Sequence, residues 1–183
     1  MSGDRAKAVE DIIKFWEKQG YEDRRALAYV LGTALRETAG TLRPVREGLC
    51  KTDECSIAAV TKLLTERGVS DNYAKPDEAG RSYFGRGYVQ LTHSKNYKKL
   101  GQALGWGDAL HENPNLALDH QKAIEILVEG MYRGLFTGKK LGDYFTPTSA
   151  DWVAARRIVN PGSKRAEITA KHARDFFACL SDA

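Results

Sequence analysis

A run of glycines, aromatic rings and polar side chains near the middle of the chain has the residue types that bind sugars. It reads Tyr83-Phe84-Gly85-Arg86-Gly87-Tyr88-Val89-Gln90-Leu91-Thr92-His93. The alternation from Tyr88 to Thr92 predicts a short extended segment with Tyr88, Gln90 and Thr92 on one face. Aromatic rings cover the apolar face of a sugar, and amide and hydroxyl groups bind its hydroxyls. A structural hairpin whose polar side faces water is the alternative, and the pattern does not separate the two.

A glutamate at the end of a predicted helix is the candidate for a general acid. Glu37 follows Val30 and Ala34 at helical spacing, so it lies on an apolar stripe. Apolar neighbours and the negative end of the helix dipole disfavour a charged carboxylate, which suits an acid that must carry a proton. The alternative is a glutamate at a frayed helix end, paired in water with Arg36 or Arg43.

A second carboxylate follows across a loop that contains Pro44. Glu47 is the candidate base, because inverting glycosidases use two carboxyl groups roughly 6.5–9.5 Å apart with a water beside the sugar. Other acidic residues compete for this role, namely Glu54, Glu66, Asp77 and Glu78. For Glu66 and Glu78, solvated surface charge is the stronger interpretation.

The elements that must position these residues are mostly helices. Amphipathic stripes, glycines and turn residues predict helices at about 9–20, 23–40, 57–68, 94–105 and 123–131. Two final helices would be capped by Ser149 and Ser163, and the long polar run to Arg81 is a predicted loop. The sequence therefore predicts one mostly α domain over residues 1–183 with a small β element.

The net charge of the chain does not indicate that it binds nucleic acid. The 183 residues carry 28 basic and 24 acidic side chains, for a net charge of +4, with the two signs interspersed. A balance this mild favours approach to anionic polymers but is too weak to predict a nucleic-acid surface. Residues 1–20 have no apolar core segment, so neither a signal peptide nor a membrane anchor is expected.

Three cysteines, Cys50, Cys55 and Cys179, cannot all pair with one another. A disulfide framework is therefore not expected, and synthesis in the cytoplasm is the simplest interpretation, with the redox state of Cys50 and Cys55 left open. Their spacing does not predict zinc, and the histidines form no HExxH pattern. No metal or other cofactor is expected.

Four segments, in chain order, resemble glycoside hydrolase family 19. Thr33-Ala34-Leu35-Arg36-Glu37-Thr38-Ala39-Gly40 resembles the helix end that carries the family's catalytic acid, with Arg36 where histidine is usual. The run from Tyr83 to Tyr97 resembles the Tyr-x-Gly-Arg-Gly signature. Asn113-Pro114-Asn115-Leu116 resembles the Asn-Pro-Asp-Leu turn, and Arg156-Arg157-Ile158-Val159-Asn160 resembles the late helix with its cleft-facing asparagine.

The resemblance implies a mainly α (α+β lysozyme-like) fold with a small β-hairpin beside the active-site cleft. It implies that Glu37 is the general acid, that Glu47 is the base and that Thr92 helps to hold the attacking water. Because the loop after the acid varies in length within the family, Glu54 stays an alternative base. The implied substrate-binding residues are Tyr88, Gln90, Asn96, Asn160, Arg86 and Arg157. The two arginines could instead form structural ion pairs.

Within the family, the chain resembles the compact bacteriolytic enzymes of phages and prophages more than the plant chitinases. It lacks the cysteine framework of the latter and carries Gly134-Leu135-Phe136-Thr137-Gly138-Lys139-Lys140 before the last helices. This resemblance implies a monomeric endolysin that hydrolyses β-1,4 bonds of peptidoglycan by an inverting mechanism. It would be made in the bacterial cytoplasm, act in the periplasm or cell wall, and depend on a separate pore-forming protein for release.

Three alternatives stay open at this stage. A chitinase would use the same catalytic pair on N-acetylglucosamine polymers, and a catalytically silent glycan-binding protein would use the same aromatic and amide groups. A single-glutamate lytic transglycosylase is the third. The sequence does not specify the host species, the glycosidic bond that is cut, or a preference between peptidoglycan and chitin.

Overall fold

The computed structural model describes residues 3–162 and 165–181, which form two compact units. The first unit consists of Met1–Leu42 with Ile124–Ala183, and the second of Arg43–Ala123. A single catalytic domain over residues 1–183 stays a prediction. Within the described residues, no helix is long and apolar enough to cross a membrane.

Seven α-helices dominate the described residues, and the strands are only two residues long. The prediction of a mainly α (α+β lysozyme-like) fold with a small β element is confirmed. The helices are α1 Gly3–Lys18, α2 Arg24–Glu37, α3 Asp53–Glu66, α4 Ser94–Ala103, α5 Ala109–Glu112, α6 His120–Arg133 and α7 Ala166–Ser181. The strands are β1 Val45–Arg46, β2 Arg86–Gly87, β3 Phe145–Thr146 and β4 Ser149–Ala150, paired antiparallel as β1–β2 and β3–β4.

The first unit is built around α2. Asp23 caps this helix, because its side chain accepts hydrogen bonds from the backbone N–H groups of Arg25 and Ala26. Every residue from Ala26 to Ala34 is buried, so α2 is surrounded by protein rather than amphipathic. It packs closely on α7: a Cβ built at Gly32 would lie 2.6 Å from the backbone nitrogen of Ala173. Glycine is therefore required where the two helices meet.

Replacing Gly32 with alanine should lower the free energy of unfolding by about 1–3 kcal/mol, because the added methyl group forces α2 and α7 apart. Urea denaturation of the purified protein measures this change. Gly3→Ala is the control, since a Cβ at that position meets nothing within 4 Å. Equal stability of the Gly32→Ala variant and the wild type would contradict the close packing.

The second unit contains α3, α4, α5 and the antiparallel pair of β1 and β2. Val45 pairs with Gly87 and Arg46 with Arg86, which brings the loop after α2 against the glycine-rich run. Gly87 has a φ of +84°, and a Cβ there would lie 2.7 Å from the carbonyl oxygen of Ala117. Gly87 therefore allows a close contact with the protein's own backbone, not with a ligand.

The extended segment predicted for Tyr88 to Thr92 is wrong. Strand β2 ends at Gly87, and residues 88–90 form a turn in which Gln90 has a φ of +54°. The turn is closed because Arg86 and Leu91 exchange two backbone hydrogen bonds of 3.2 and 2.9 Å. Alternation of polar and apolar residues arises here from a tight turn, so Tyr88, Gln90 and Thr92 do not line one face of a strand.

Of the two predicted helix caps, one lies within the described residues. Ser149 is not a cap, because it lies in β4. It pairs with Thr146, and Ala150 pairs with Phe145, across a tight turn. The helix expected after it is only a 3-10 helix, Ala154–Ile158. Ser163, predicted to cap the last helix, lies outside the described residues.

Cys50 and Cys55 form a disulfide bond, whereas Cys179 is free and exposed. The sequence left the redox state of these two cysteines open, and in the structure they are paired. An odd number of cysteines excludes complete pairing but not a single bond between two near neighbours, which lie five positions apart. The bond joins the residue after the 3-10 helix Glu47–Leu49 to the first turn of α3.

A Cys50→Ser, Cys55→Ser double variant should lose about 2 kcal/mol of unfolding free energy, because the open chain gains conformational entropy mainly in the unfolded state. Thermal or urea unfolding of the oxidised wild type and the variant measures the difference. Cys179→Ser is the matched control, since that exposed thiol takes no part in the bond. A double variant as stable as oxidised wild type would show that the closure contributes nothing.

Candidate active site

Glu37 is the last residue of α2, as the periodicity predicted. Its carboxylate Oε1 lies 2.6 Å from Nη2 of Arg156, and its side chain is only 16% exposed. Arg156 lies in the 3-10 helix Ala154–Ile158 of the same unit, and its side chain is 7% exposed. The carboxylate is therefore held by a buried guanidinium and is not the solvated helix end that the alternative interpretation described.

Arg156 has donor capacity that the described residues do not use. Its Nε and Nη1 atoms are buried and have no hydrogen-bond partner among them. The residue lines a cavity of about 370 Å³ together with Asp151, Arg157 and Asn160. The structure thus brings the arginine that contacts Glu37 together with two residues predicted to bind substrate, Arg157 and Asn160, both of which are exposed.

Glu47 begins a 3-10 turn directly after β1 in the second unit. Its Oε1 accepts a 2.8 Å hydrogen bond from the Tyr73 hydroxyl, and its Oε2 accepts a 2.7 Å hydrogen bond from the backbone N–H of Gly85. The backbone N–H of Glu47 in turn donates to the Gly85 carbonyl at 2.7 Å. Burial, followed by this hydrogen bond, raises the pKa of Tyr73 above its ordinary value. The tyrosine therefore stays a donor, and the carboxylate has a fixed orientation.

Gly85 explains why the glycine-rich run lies against this carboxylate. A Cβ at Gly85 would lie 2.8 Å from the side-chain Oε1 of Gln90 and 3.1 Å from Oε2 of Glu47. A larger residue would therefore displace either the glutamate or the glutamine. Glu54, the alternative base, is exposed in the first turn of α3.

The polar residues after Gly87 hold the turn together. Gln90 Nε2 donates to the carbonyl oxygens of Val45 and Gly87 at 3.1 and 3.3 Å. Thr92 Oγ1 donates to the Gln90 carbonyl, and Asn96 Nδ2 donates to the Thr92 carbonyl at 2.8 Å. Each of these three side chains is partly exposed, so their roles toward water and substrate stay predictions.

Tyr88 does not present the aromatic surface that the sequence suggested. The residue is 0% exposed, and its hydroxyl lies 3.4 Å from Nδ1 of His120. Its neighbour in the signature, Tyr97, is also buried and donates to the Phe84 carbonyl at 2.9 Å. Both rings belong to the interior of the second unit.

Arg86 forms a structural ion pair, the alternative to substrate binding that the sequence left open. Its side chain is 1% exposed, and its Nη2 donates to Asp53 at 2.9 Å. Nε donates to Asn115 Oδ1 at 2.9 Å, Nη1 donates to the Ser82 carbonyl at 2.8 Å, and the guanidinium lies 3.6 Å from the centre of the Phe84 ring. Every nitrogen of the fork is used within the protein, so it offers no donor to a sugar.

Three contributors to these environments were missed in the sequence: Tyr73, Asp53 and Arg156. Tyr73 lies in the long polar loop and Asp53 beside the candidate Glu54, and no periodicity marks either one. Arg156 was included in the late segment without a role. Among the described residues, no group of three His, Cys, Asp or Glu side chains could hold a metal ion.

Comparison with known proteins identifies the family to which the chain belongs. The family model described as chitinase class I matches residues 16–126, more than half of the chain. The chain belongs to glycoside hydrolase family 19. The matched region includes Glu37, Glu47 and the glycine-rich run, and it ends before Arg156 and Asn160.

Curated plant proteins match parts of the same region. An acidic 26 kDa endochitinase of Solanum lycopersicum is 46% identical over 44 residues, covering 24% of this chain and 17% of its own length. An endochitinase of Carica papaya is 35% identical over 86 residues, covering 44% and 32%. Lectin/endochitinase 1 of Urtica dioica is 33% identical over 90 residues, covering 49% and 22%. In each case, the match spans less than a third of the relative.

Proposed function

We propose that the protein is a glycosidase that hydrolyses β-1,4 bonds in an N-acetylhexosamine polymer. The observation that carries this proposal is the family match, which contains both Glu37 and Glu47. In the proposed reaction, Glu37 protonates the glycosidic oxygen that leaves, and Glu47 removes a proton from the attacking water. One C–O bond forms and one breaks, the anomeric configuration inverts, and the two carboxyl groups exchange protonation states.

The anchoring of Glu47 supports its assignment as the base over Glu54. A base must point its oxygen in one direction while water is activated, and two donors fix the Glu47 carboxylate. Glu54 is exposed at the start of α3, where a carboxylate is stabilised by the helix dipole without any catalytic role. Thr92, in the same unit as Glu47, is proposed to help hold the water.

Arg156 is proposed to be a positioning residue for Glu37. The 2.6 Å contact between Nη2 and Oε1 fixes the carboxylate at the end of α2. Arg157 and Asn160, which are exposed, give the adjoining cavity donors for a polar ligand. Sugar hydroxyls and acetamido oxygens are acceptors of the right kind.

For the substrate, we infer bacterial peptidoglycan, with the protein acting as a monomeric endolysin in the periplasm or cell wall after release by a separate pore-forming protein. The segment Gly134-Leu135-Phe136-Thr137-Gly138-Lys139-Lys140, the absence of a plant-type set of cysteines and the net charge of +4 support this choice. The charge favours approach to anionic wall polymers.

A chitinase is the second candidate, and the similarity to plant proteins named endochitinases favours it. Product analysis separates the two candidates: purified peptidoglycan and chitin hexamers are incubated with the protein, and the products are identified by mass spectrometry. Muropeptides with hydrolysed reducing ends are expected from peptidoglycan, at a higher rate than any release from chitin. Products from chitin alone would identify a chitinase, and anhydro-muramic ends would identify a lytic transglycosylase.

Binding without turnover would support the third candidate, a glycan-binding protein, and the lectin part of the name of the Urtica dioica relative makes that measurement necessary. The stereochemistry is tested separately. Proton NMR of the first products should show the anomer opposite to the β-linked substrate, because direct attack by water inverts the anomeric carbon. A product with retained configuration would contradict the assignment of Glu47 as a base.

A further inference from the structure

A cavity of about 540 Å³ lies within the second unit, and none of the residues assigned to hydrolysis or sugar binding lines it. Its walls come from the loop before the glycine-rich run, from the start of α4 and from α5. One wall residue is Tyr73, whose hydroxyl donates the 2.8 Å hydrogen bond to Glu47. The cavity therefore adjoins the proposed base through a single side chain.

Two imidazole rings on the cavity wall are held by aromatic neighbours. The His93 ring lies 4.8 Å from the ring of Tyr73. The His111 ring stacks on Tyr83 at 4.9 Å, and its Nε2 lies 2.8 Å from Oγ of Ser94. His93 also has a φ of +69°, which strains a residue other than glycine, and such strain clusters at ligand-binding and active sites. The wall is thus ordered before any ligand arrives.

The charge that the cavity leaves uncommitted is mostly positive. Lys75 in the loop and Lys95 in the first turn of α4 are exposed, and neither side chain has an ion pair or hydrogen bond among the described residues. Asp77 is already satisfied, because Nε of Arg81 and two backbone N–H groups donate to it at 2.9 to 3.0 Å. Asp71 is the other carboxylate among the described lining residues. Two free ammonium groups therefore face one free carboxylate.

These walls match a ligand with more carboxylates than ammonium groups. An ammonium group donates hydrogen bonds and attracts anions, so each lysine suits one carboxylate. A chitin strand is neutral and brings no carboxylate to the cavity. The peptide branch that distinguishes peptidoglycan from chitin is acidic, and its N–H groups are donors for Asp71.

We propose that this cavity binds the acidic peptide branch of peptidoglycan, with carboxylates on Lys75 and Lys95 and an N–H group on Asp71. The inference rests on the proposed function and names the part of the substrate that the second unit recognises. Because Tyr73 belongs both to the wall and to the hydrogen bonds of Glu47, a peptide bound here places its sugar near the proposed base.

Isothermal titration calorimetry with two soluble probes tests the site without requiring cleavage. A disaccharide-peptide purified from peptidoglycan is compared with the same disaccharide after an amidase has removed the peptide. The wild-type protein should bind the disaccharide-peptide about tenfold more tightly at low salt. The difference should shrink at high salt, because salt screens the attraction between exposed charges.

Variants then test the two lysines. Lys75→Gln and Lys95→Gln should each weaken binding of the disaccharide-peptide about threefold, and the double variant about tenfold, as expected for exposed ion pairs. Lys98→Gln is the matched control, because Lys98 is exposed on α4 and does not line the cavity. Equal affinity of the wild type for the two probes, or equal weakening in the control, would overturn the proposal.

Rates on polymers separate this proposal from the proposed hydrolysis. On glycan strands that keep their peptides, the double variant should raise KM about tenfold and leave kcat unchanged, and on peptide-free strands it should match the wild type. If the double variant matches the wild type on both polymers, the cavity has no role and the hydrolysis stands. Lysine-dependent binding of the disaccharide-peptide with no cleavage of either polymer would instead contradict the hydrolysis and support the binding site.

Discussion

Glu37→Gln should lower the rate of glycan hydrolysis by about 10²–10⁴-fold, the contribution expected of a general acid. Glutamine keeps an oxygen that can accept a hydrogen bond from Arg156 but has no proton for the leaving glycosidic oxygen. Glu47→Gln should lower the rate by a similar factor, because an amide is not a base. Initial rates of reducing-end release on the polymer that the wild type cleaves measure both effects.

Glu54→Gln is the matched control for this pair, since Glu54 is the alternative base and is exposed. It should retain the wild-type rate within about twofold, as a surface substitution of this kind has little effect on the fold. Thermal unfolding of all three variants distinguishes lost chemistry from lost structure. A Glu37→Gln protein with wild-type activity would remove the proposed acid, and a larger loss in Glu54→Gln than in Glu47→Gln would reassign the base.

Arg86→Met should lower the free energy of unfolding by about 3–5 kcal/mol, the cost of breaking a buried ion pair by removing one partner. The variant leaves the carbonyl oxygen of Ser82 and the amide of Asn115 without their donor, and it also leaves the Asp53 carboxylate with one guanidinium instead of two. Urea denaturation measures the loss. The long methionine side chain keeps most of the buried volume, so the change reports mainly on the polar contacts.

Arg46→Met is the matched control because Arg46 pairs with the same carboxylate at 2.6 Å but is 26% exposed. It should cost about 0–1 kcal/mol, as partly exposed pairs usually do. An Arg86→Met protein of wild-type stability with a raised KM would contradict the structural role of Arg86 and support a role in substrate binding.

The stability lost in Arg86→Met should depend on pH. Burial opposes the charge of Asp53, but hydrogen bonds and the charges of Arg46 and Arg86 outweigh it and hold the pKa of Asp53 below its ordinary value. A lowered pKa in the folded state stabilises the protein above the unfolded value of about 3.9, and this contribution is lost as the pH falls through the folded pKa. The difference between wild type and variant should therefore be largest near neutral pH and shrink below about pH 4.

The local part of this arrangement was predictable from sequence, and the long-range part was not. Helical spacing from Val30 and Ala34 predicted that Glu37 lies in the last turn of the second helix, and it is the last residue of α2. The contact with Arg156 joins residues far apart in the chain, and the bond between Gly85 and Glu47 spans 38 positions. No spacing rule encodes such contacts, because they depend on how the elements pack.

Two of the sequence patterns can each be produced by two different structures. Alternating residues from Tyr88 to Thr92 suit a strand, yet the bridge between Arg86 and Leu91 closes them into a turn. A buried arginine between two glycines resembles a ligand-binding group, yet Arg86 is satisfied by Asp53 and by the backbone. Hydrogen bonding in the first case and burial in the second are properties of the folded protein.

The bond between Cys50 and Cys55 makes the chemical history of a sample part of its structure. Glutathione keeps thiols reduced in most cytoplasms, whereas oxidising compartments allow the pair to form. Cys50 lies three positions after Glu47, and a Cβ built at the intervening Gly48 would lie 3.6 Å from the Cys50 sulfur. Material prepared with and without reductant would differ by two hydrogen atoms and in the freedom of the segment that carries this carboxylate.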